Sequence, residues 1–202
     1  MMRKQIFLMR HGRTLWNIEG KLQGRMNSPL LESSISITKN IALYLKENHL
    51  IEKVYCSPLQ RCVDTTQIID EILQIGYEQR DALMECDMGL CEGLSWQVAE
   101  EKFPDFFMLR NNDKWNTPWP NGESYEDVFC RAKDFFLQLC DDKNILIIGH
   151  EMFNKCFLGA CLDWNSNEIM SFRQSNHELL IVHIDCKKFE NIQFGQKGTL
   201  EK

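Results

Sequence analysis

With 202 residues, 44% of them hydrophobic and 26% charged, the chain is long enough for one sizeable core and short for two, so a single globular domain is expected. The 29 acidic side chains outnumber the 23 basic ones and leave a net charge of -6, which argues against general nucleic-acid or anionic-membrane binding. An anionic substrate must then be captured by a local cationic pocket. In chain order, short apolar runs at 3–9, 53–56 and 144–148 read as buried strands, and a longer one follows at 178–185. Helical patterns lie between them at 34–47, 59–73, 95–103, 124–139 and 152–162, with Ser124 and Asp127 spaced as a weaker capping box. This alternation predicts one α/β domain over 1–202, with a mostly parallel sheet and helices on both faces. The polar stretch 110–122, within a possible cap insert around 103–123, reads as a segment folding over a site.

The opening Met1-Met2-Arg3-Lys4 leads into a run too brief for a signal peptide or a membrane span, and nothing later is longer, so the expected compartment is the cytoplasm. Nine cysteines, an odd number with no Cys-x-x-Cys pair, read as free thiols, mostly buried, in a reducing environment. No cluster of zinc ligands stands out.

In open α/β sheets ligands collect at the carboxyl ends of strands. Arg10-His11, Ser57-Pro58 and Gly149-His150 all fall at such ends. Arg10 beside His11 is the most informative pair. An imidazole nitrogen is a competent nucleophile toward phosphorus, and a guanidinium offers planar donors that match phosphate oxygens at every working pH.

The chain resembles the histidine phosphatase superfamily, which includes cofactor-dependent phosphoglycerate mutases and small broad-specificity phosphatases. Six blocks carry the resemblance in the family's order: Arg10-His11-Gly12-Arg13-Thr14-Leu15-Trp16-Asn17; Gly20-Lys21-Leu22-Gln23-Gly24 with Ser28-Pro29-Leu30; Ser57-Pro58-Leu59-Gln60-Arg61 with Thr65-Thr66; Leu83-Met84-Glu85 with Gly89 and Glu92-Gly93; Pro120-Asn121-Gly122-Glu123-Ser124 through Arg131; and Ile147-Ile148-Gly149-His150. The resemblance implies a phosphate pocket of Arg10, Arg61 and His150 around the nucleophile His11, with Glu85 as proton donor. Asp87 and Glu92 are nearby rivals for the acid. For His11 to attack, its reacting nitrogen must be unprotonated, with the other held by a backbone carbonyl. His150 should be charged when an anion is bound, and Glu85 needs a carboxyl raised toward neutrality by burial and by the phosphate. Asn17 and Gln23 are expected to donate side-chain amide hydrogen bonds to phosphate or substrate oxygens, and Gly24 its backbone N–H.

Other residues have blander readings. His49 reads as an exposed helix-end residue, His183 as a strand residue and His177 as structural. The five tryptophans read as packing, with Trp115 and Trp119 as the exceptions that could reach substrate. Glu151 stands where the family usually has glycine. Turned inward it would weaken anion binding, and it is read as opening a helix and pointing outward. Lys155 stands where arginine is common, while Leu31 and Ser34 replace a usual threonine and glycine and weaken the local helix cap.

The leading expectation is a metal-independent phosphomonoester hydrolase acting through a phosphohistidine. The alternatives are a phosphoglycerate mutase or a degenerate phospholigand-binding module. The mutases are longer, with a basic middle insert, whereas here the insert holds only Arg110 and Lys114 and the tail after Asp185 is short. No cofactor or metal is implied, and the expected partner is a small phosphorylated metabolite.

Overall fold

Gln5 to Arg10 form strand β1 (Gln5–Arg10), and its inner residues Ile6, Phe7, Leu8 and Met9 are buried on both faces. The computed structural model describes residues 5–139 and 144–195. The elements that follow are α1 (Leu15–Glu19), α2 (Glu32–Asn48), β2 (Lys53–Cys56), α3 (Gln60–Leu73), β3 (Glu78–Gln79), α4 (Trp96–Lys102) and α5 (Pro104–Asn112). Then come α6 (Tyr125–Gln138), β4 (Ile145–Gly149), α7 (Glu151–Leu162), α8 (Ser166–Ser171), β5 (Glu178–His183) and β6 (Lys188–Gln193). They build one α/β unit around a six-stranded sheet ordered β3-β2-β4-β1-β5-β6. The β3/β2, β2/β4 and β4/β1 pairs are parallel, and β5 and β6 add two antiparallel pairs at one edge.

Strand alternation divides the core into two layers. Ile6 and Leu8 face α6 and α7 through Val128, Ala132, Phe135, Phe153 and Phe157. Phe7 and Met9 face α2 and α3 through Ile37, Ile41, Leu45 and Ile69. Fully burying each such side chain contributes roughly 2 kcal/mol. Ser124 caps α6 as its spacing predicts: its Oγ accepts from the Asp127 N–H at 3.1 Å, and its own N–H donates to the Asp127 carboxylate at 2.8 Å. Leu31 precedes α2 with no side-chain cap.

The structure corrects several expectations. The strand expected over 178–185 ends at His183, where a turn of 3-10 helix begins. Residues 3 and 4 of the first expected strand lie outside the described residues. His49 is half-buried against Phe7, with ring centroids 4.7 Å apart. Trp119 is buried and Trp115 packs on Phe129, so neither tryptophan reaches for substrate. Arg110 also turns inward, stacked 4.4 Å over Trp119 and bonded to the Tyr125 hydroxyl. Six free cysteines are buried, Cys130 and Cys186 are exposed, and Cys140 lies outside the described residues. Among the described residues no helix is long and apolar enough to cross a membrane.

Candidate active site

Three parallel strands end at one level. Arg10 stands opposite Gly149, the His11 N–H donates to the Gly149 carbonyl at 3.0 Å, and the Ser57 N–H donates to the Ile148 carbonyl at 3.1 Å. His11 and His150 are thereby brought side by side, both buried, with ring centroids 5.2 Å apart. His11 Nδ1 lies 2.8 Å from the Gly12 carbonyl, so the neutral ring carries its proton on Nδ1 and its lone pair on Nε2. Arg61 donates its Nε–H to that lone pair at 3.2 Å. Burial, then the Arg61 and Arg10 guanidiniums, hold the His11 imidazole well below its usual range, outweighing the Gly12 carbonyl.

His150 Nε2 lies 2.8 Å from Ser57 Oγ and 3.4 Å from Cys62 Sγ. Burial, then Arg61, His11, Arg10 and Arg131, keep this ring well below its usual range too. The free site therefore favours two neutral imidazoles. An anion arriving between them would offset the cations and favour the charged His150 expected with substrate.

Arg61, on the first turn of α3, is 1% exposed. Besides the bond to His11 it donates to the carbonyls of Gly24 (2.7 Å) and Met26 (2.7 Å) and to Asn27 Oδ1 (3.2 Å). The loop after α1 thus fixes the plane of its guanidinium. Arg10 donates from Nη1 to the Gln174 carbonyl at 3.3 Å, while its buried Nε–H has no partner among the described residues.

Glu85 is buried, and its carboxylate accepts from the N–H groups of Cys86 (2.8 Å) and Met152 (3.4 Å), the latter in the first turn of α7. Its rivals are engaged elsewhere. Glu92 accepts from the backbone N–H groups of Arg25 (2.7 Å), Met26 (3.1 Å) and Met88 (3.1 Å), and Asp87 pairs with Arg25 at 3.2 Å. Arg131 braces the Glu85 loop by donating to the Ala82 and Glu85 carbonyls at 2.7 and 3.1 Å.

The remaining expected ligands, Asn17, Gln23 and Gly24, sit near this site. Asn17 Oδ1 is held by the Thr14 N–H and hydroxyl, each at 3.0 Å, which leaves its NH₂ group for an outside acceptor. Gln23 gives its NH₂ to Thr14 Oγ1 at 2.9 Å, and its buried carbonyl oxygen has no partner among the described residues. Its carbonyl oxygen can accept, and the second N–H of its NH₂ group remains to donate. Gly24 contributes its carbonyl to Arg61. At φ +48° it also lies where a Cβ would come within 2.0 Å of Glu92 Oε1.

Glu151 does not point away. It is the first residue of α7, and its carboxylate lies 3.1 Å from Arg10 Nη1 and 3.9 Å from Arg173 Nε. The register opposite Gly149 brings the guanidinium to the helix start, where ion pairing competes with hydration. Lys155 is buried, and burial, then Arg173, lowers its pKa while Glu151 and Glu85 partly restore it. His177 is also better placed than its structural reading implied. It lines an open cavity of about 390 Å³ with Arg10, Arg13, Asn17, Ser175 and Asn176.

A family model described as the histidine phosphatase superfamily, branch 1, matches residues 6–196. The chain belongs to that superfamily. Among curated relatives, 6-phosphofructo-2-kinase/fructose-2,6-bisphosphatase from Gallus gallus is 32% identical over 178 residues, covering 88% of this chain and 37% of that protein. The Homo sapiens protein 6-phosphofructo-2-kinase/fructose-2,6-bisphosphatase 1 is 32% identical over 183 residues, covering 88% and 36%. The chain thus spans little more than a third of these relatives. Of solved structures, alpha-ribazole phosphatase from Shigella flexneri superposes with a TM-score of 0.84 at 22% identity, covering 98% of this chain and 100% of that one. A mycobacterial glucosyl-3-phosphoglycerate phosphatase gives 0.78 at 19% identity, covering 89% and 92%. These two share the fold.

Within this histidine phosphatase domain Thr65, quoted above as part of a motif but given no role, accepts at Oγ1 from the Gly12 N–H at 2.9 Å and ties α3 to the nucleophile loop. Two further supporting amides were not singled out in the sequence. Asn154 bridges the Met9 carbonyl (3.0 Å) and Gln174 Oε1 (2.8 Å), and Asn176 holds the His11 carbonyl at 2.7 Å. Such amides carry no periodic signal. Residues 174–177 gain their place because β5 runs antiparallel, so its start, not its end, lies at the carboxyl edge of the parallel strands.

Proposed function

We propose that this domain hydrolyses phosphomonoesters through a phosphohistidine formed on His11. One observation carries the reading: the Nδ1 proton faces the Gly12 carbonyl, so the Nε2 lone pair is turned toward Arg61 inside a buried cationic site. In the first step Nε2 forms a bond to phosphorus as the ester P–O bond breaks, and Glu85 gives its proton to the departing alkoxide. Arg61 Nε–H turns from the lone pair to an equatorial oxygen. The unpartnered Nε–H of Arg10 finds its acceptor there too, relieving a buried donor whose isolation costs about 1–3 kcal/mol. In the second step water, activated by the Glu85 carboxylate, attacks phosphorus and breaks the P–N bond. An open cavity borders Arg10 at the edge of the site, and this supports hydrolysis over return of the phosphoryl group to a trapped acceptor. The substrate is a small phosphorylated metabolite.

The test is labelling with a ³²P-phosphomonoester in EDTA, quenched in alkaline detergent so that a phosphoramidate survives, with peptide mapping at alkaline pH. Acid-labile label on His11 in the wild type, with none in His11→Ala and turnover lowered by at least about three orders of magnitude, is the expected result. Undiminished turnover by His11→Ala overturns the reading.

A further inference from the structure

The cavity at the edge of the site sets a second guanidinium, Arg13, and an imidazole, His177, beside Arg10, whose own charge is paired with Glu151. Of the six residues that line it, Arg10 and Asn17 also border the proposed phosphoryl pocket, whereas Arg13, Ser175, Asn176 and His177 have no part in the mechanism above. Among the described residues no carboxylate lines it. Glu178, close by, is buried and already accepts from the Ser175 N–H at 3.1 Å and the Gln193 amide at 3.4 Å. Arg13 has no ion-pair partner among the described residues. A guanidinium without a counter-ion, beside an imidazole in a concave recess, is a setting for a carboxylate or phosphate rather than for a neutral sugar face.

We infer that this recess is a second anion subsite, in which Arg13, with His177, binds a carboxylate or second phosphate on the leaving-group side of the substrate. The inference rests on the hydrolase reading above and narrows its substrate to small phosphomonoesters that carry another anionic group. Asn176 sets the wall of the recess relative to the nucleophile by holding the His11 carbonyl. Burial, then Arg13, disfavours protonation of His177 in the free protein, partly offset by the nearby Glu178 carboxylate, and an anion lying between His177 and Arg13 would offset the Arg13 effect. Because the whole chain is acidic, capture depends on this local field.

The experiment compares kcat/KM for matched esters in wild type and Arg13→Gln. Glycerol 3-phosphate is set against 3-phosphoglycerate, and fructose 6-phosphate against fructose 1,6-bisphosphate, with p-nitrophenyl phosphate as the common reference. Wild type should favour the anion-bearing member of at least one pair by about tenfold or more, and Arg13→Gln should erase most of that preference. The favoured pair distinguishes a carboxylate from a phosphate. Arg13 is exposed, so the fold should be retained, as an unchanged Tm verifies. Turnover of p-nitrophenyl phosphate with no preference within either pair, or a preference untouched by Arg13→Gln, overturns the inference and leaves the hydrolase reading standing. Absence of turnover on every ester overturns both.

Discussion

At the floor of the site Arg61 is almost fully buried and gives its donors to backbone carbonyls, an asparagine oxygen and His11. At the rim Glu151 is shared between Arg10 and Arg173, in ion pairs that still meet water, and Arg13 has no counter-ion among the described residues. The floor is thus set by the covalent path of a neighbouring loop, and the rim by ion pairs that an incoming ligand can exchange. Geometry for bond making belongs to the first region, and selection of what enters belongs to the second.

This contrast can be broken most severely at the floor. Arg61→Ala should lower kcat/KM by about 10²–10³ and also lower Tm, since it strips the donor from the Gly24 and Met26 carbonyls. A loss below tenfold in steady-state kinetics would mean that the floor is not where charge is stabilised. Next in size, Gly24→Ala should cost about 2–4 kcal/mol in urea unfolding, because its Cβ would collide with Glu92 at a positive φ. Gly20→Ala, at φ +66° with nothing within 4 Å of the added carbon, should cost only about 1 kcal/mol. Equal costs would show that Glu92 yields freely.

Acid should loosen the floor before the rim. His11 and His150 are both held below the ordinary value of 6.5, so the unfolded chain takes up protons first as pH falls. Their contribution is complete above pH 6.5 and is lost as pH drops from there toward their folded values. Denaturant midpoints at pH 7.5 and 5.5 should differ accordingly, and saturating phosphate, by favouring charged His150, should shrink the difference. The smallest effect belongs to the rim: Glu151→Gln should tighten competitive inhibition by inorganic phosphate about three- to fivefold at low salt and less at high salt. No change would mean that the Arg10 and Glu151 pair is open in solution.

Much of this was legible in residue order. The strand over 53–56, the one expected over 144–148 and found at Ile145–Gly149, and the long helices emerged from apolar runs and spacing, and the two histidines and Arg61 lay at or just after strand ends. Strand β6 was hidden because Lys188, Glu190, Asn191 and Gln193 leave only Phe189 and Ile192 as apolar signals on an edge. Strand β3, with two residues, carries no period at all. The site's carboxylates could not be ranked from composition. Glu85, Asp87 and Glu92 are close in sequence, and only the paths of the loops give Glu92 to three backbone donors and Glu85 to the start of α7. Glu151 was misjudged for a related reason: the side chain's direction depends on a guanidinium brought across from another strand.

The interior sulfurs have a practical use. Burial pushes the thiols of Cys62, Cys86 and Cys156 well above their ordinary range, whereas Cys130 and Cys186 stand in water. A short pulse of maleimide should spare Cys62, against the second histidine, while the chain stays folded and tag it once the chain opens. The molecule thus carries its own gauge of unfolding, positioned within a bond or two of its chemistry.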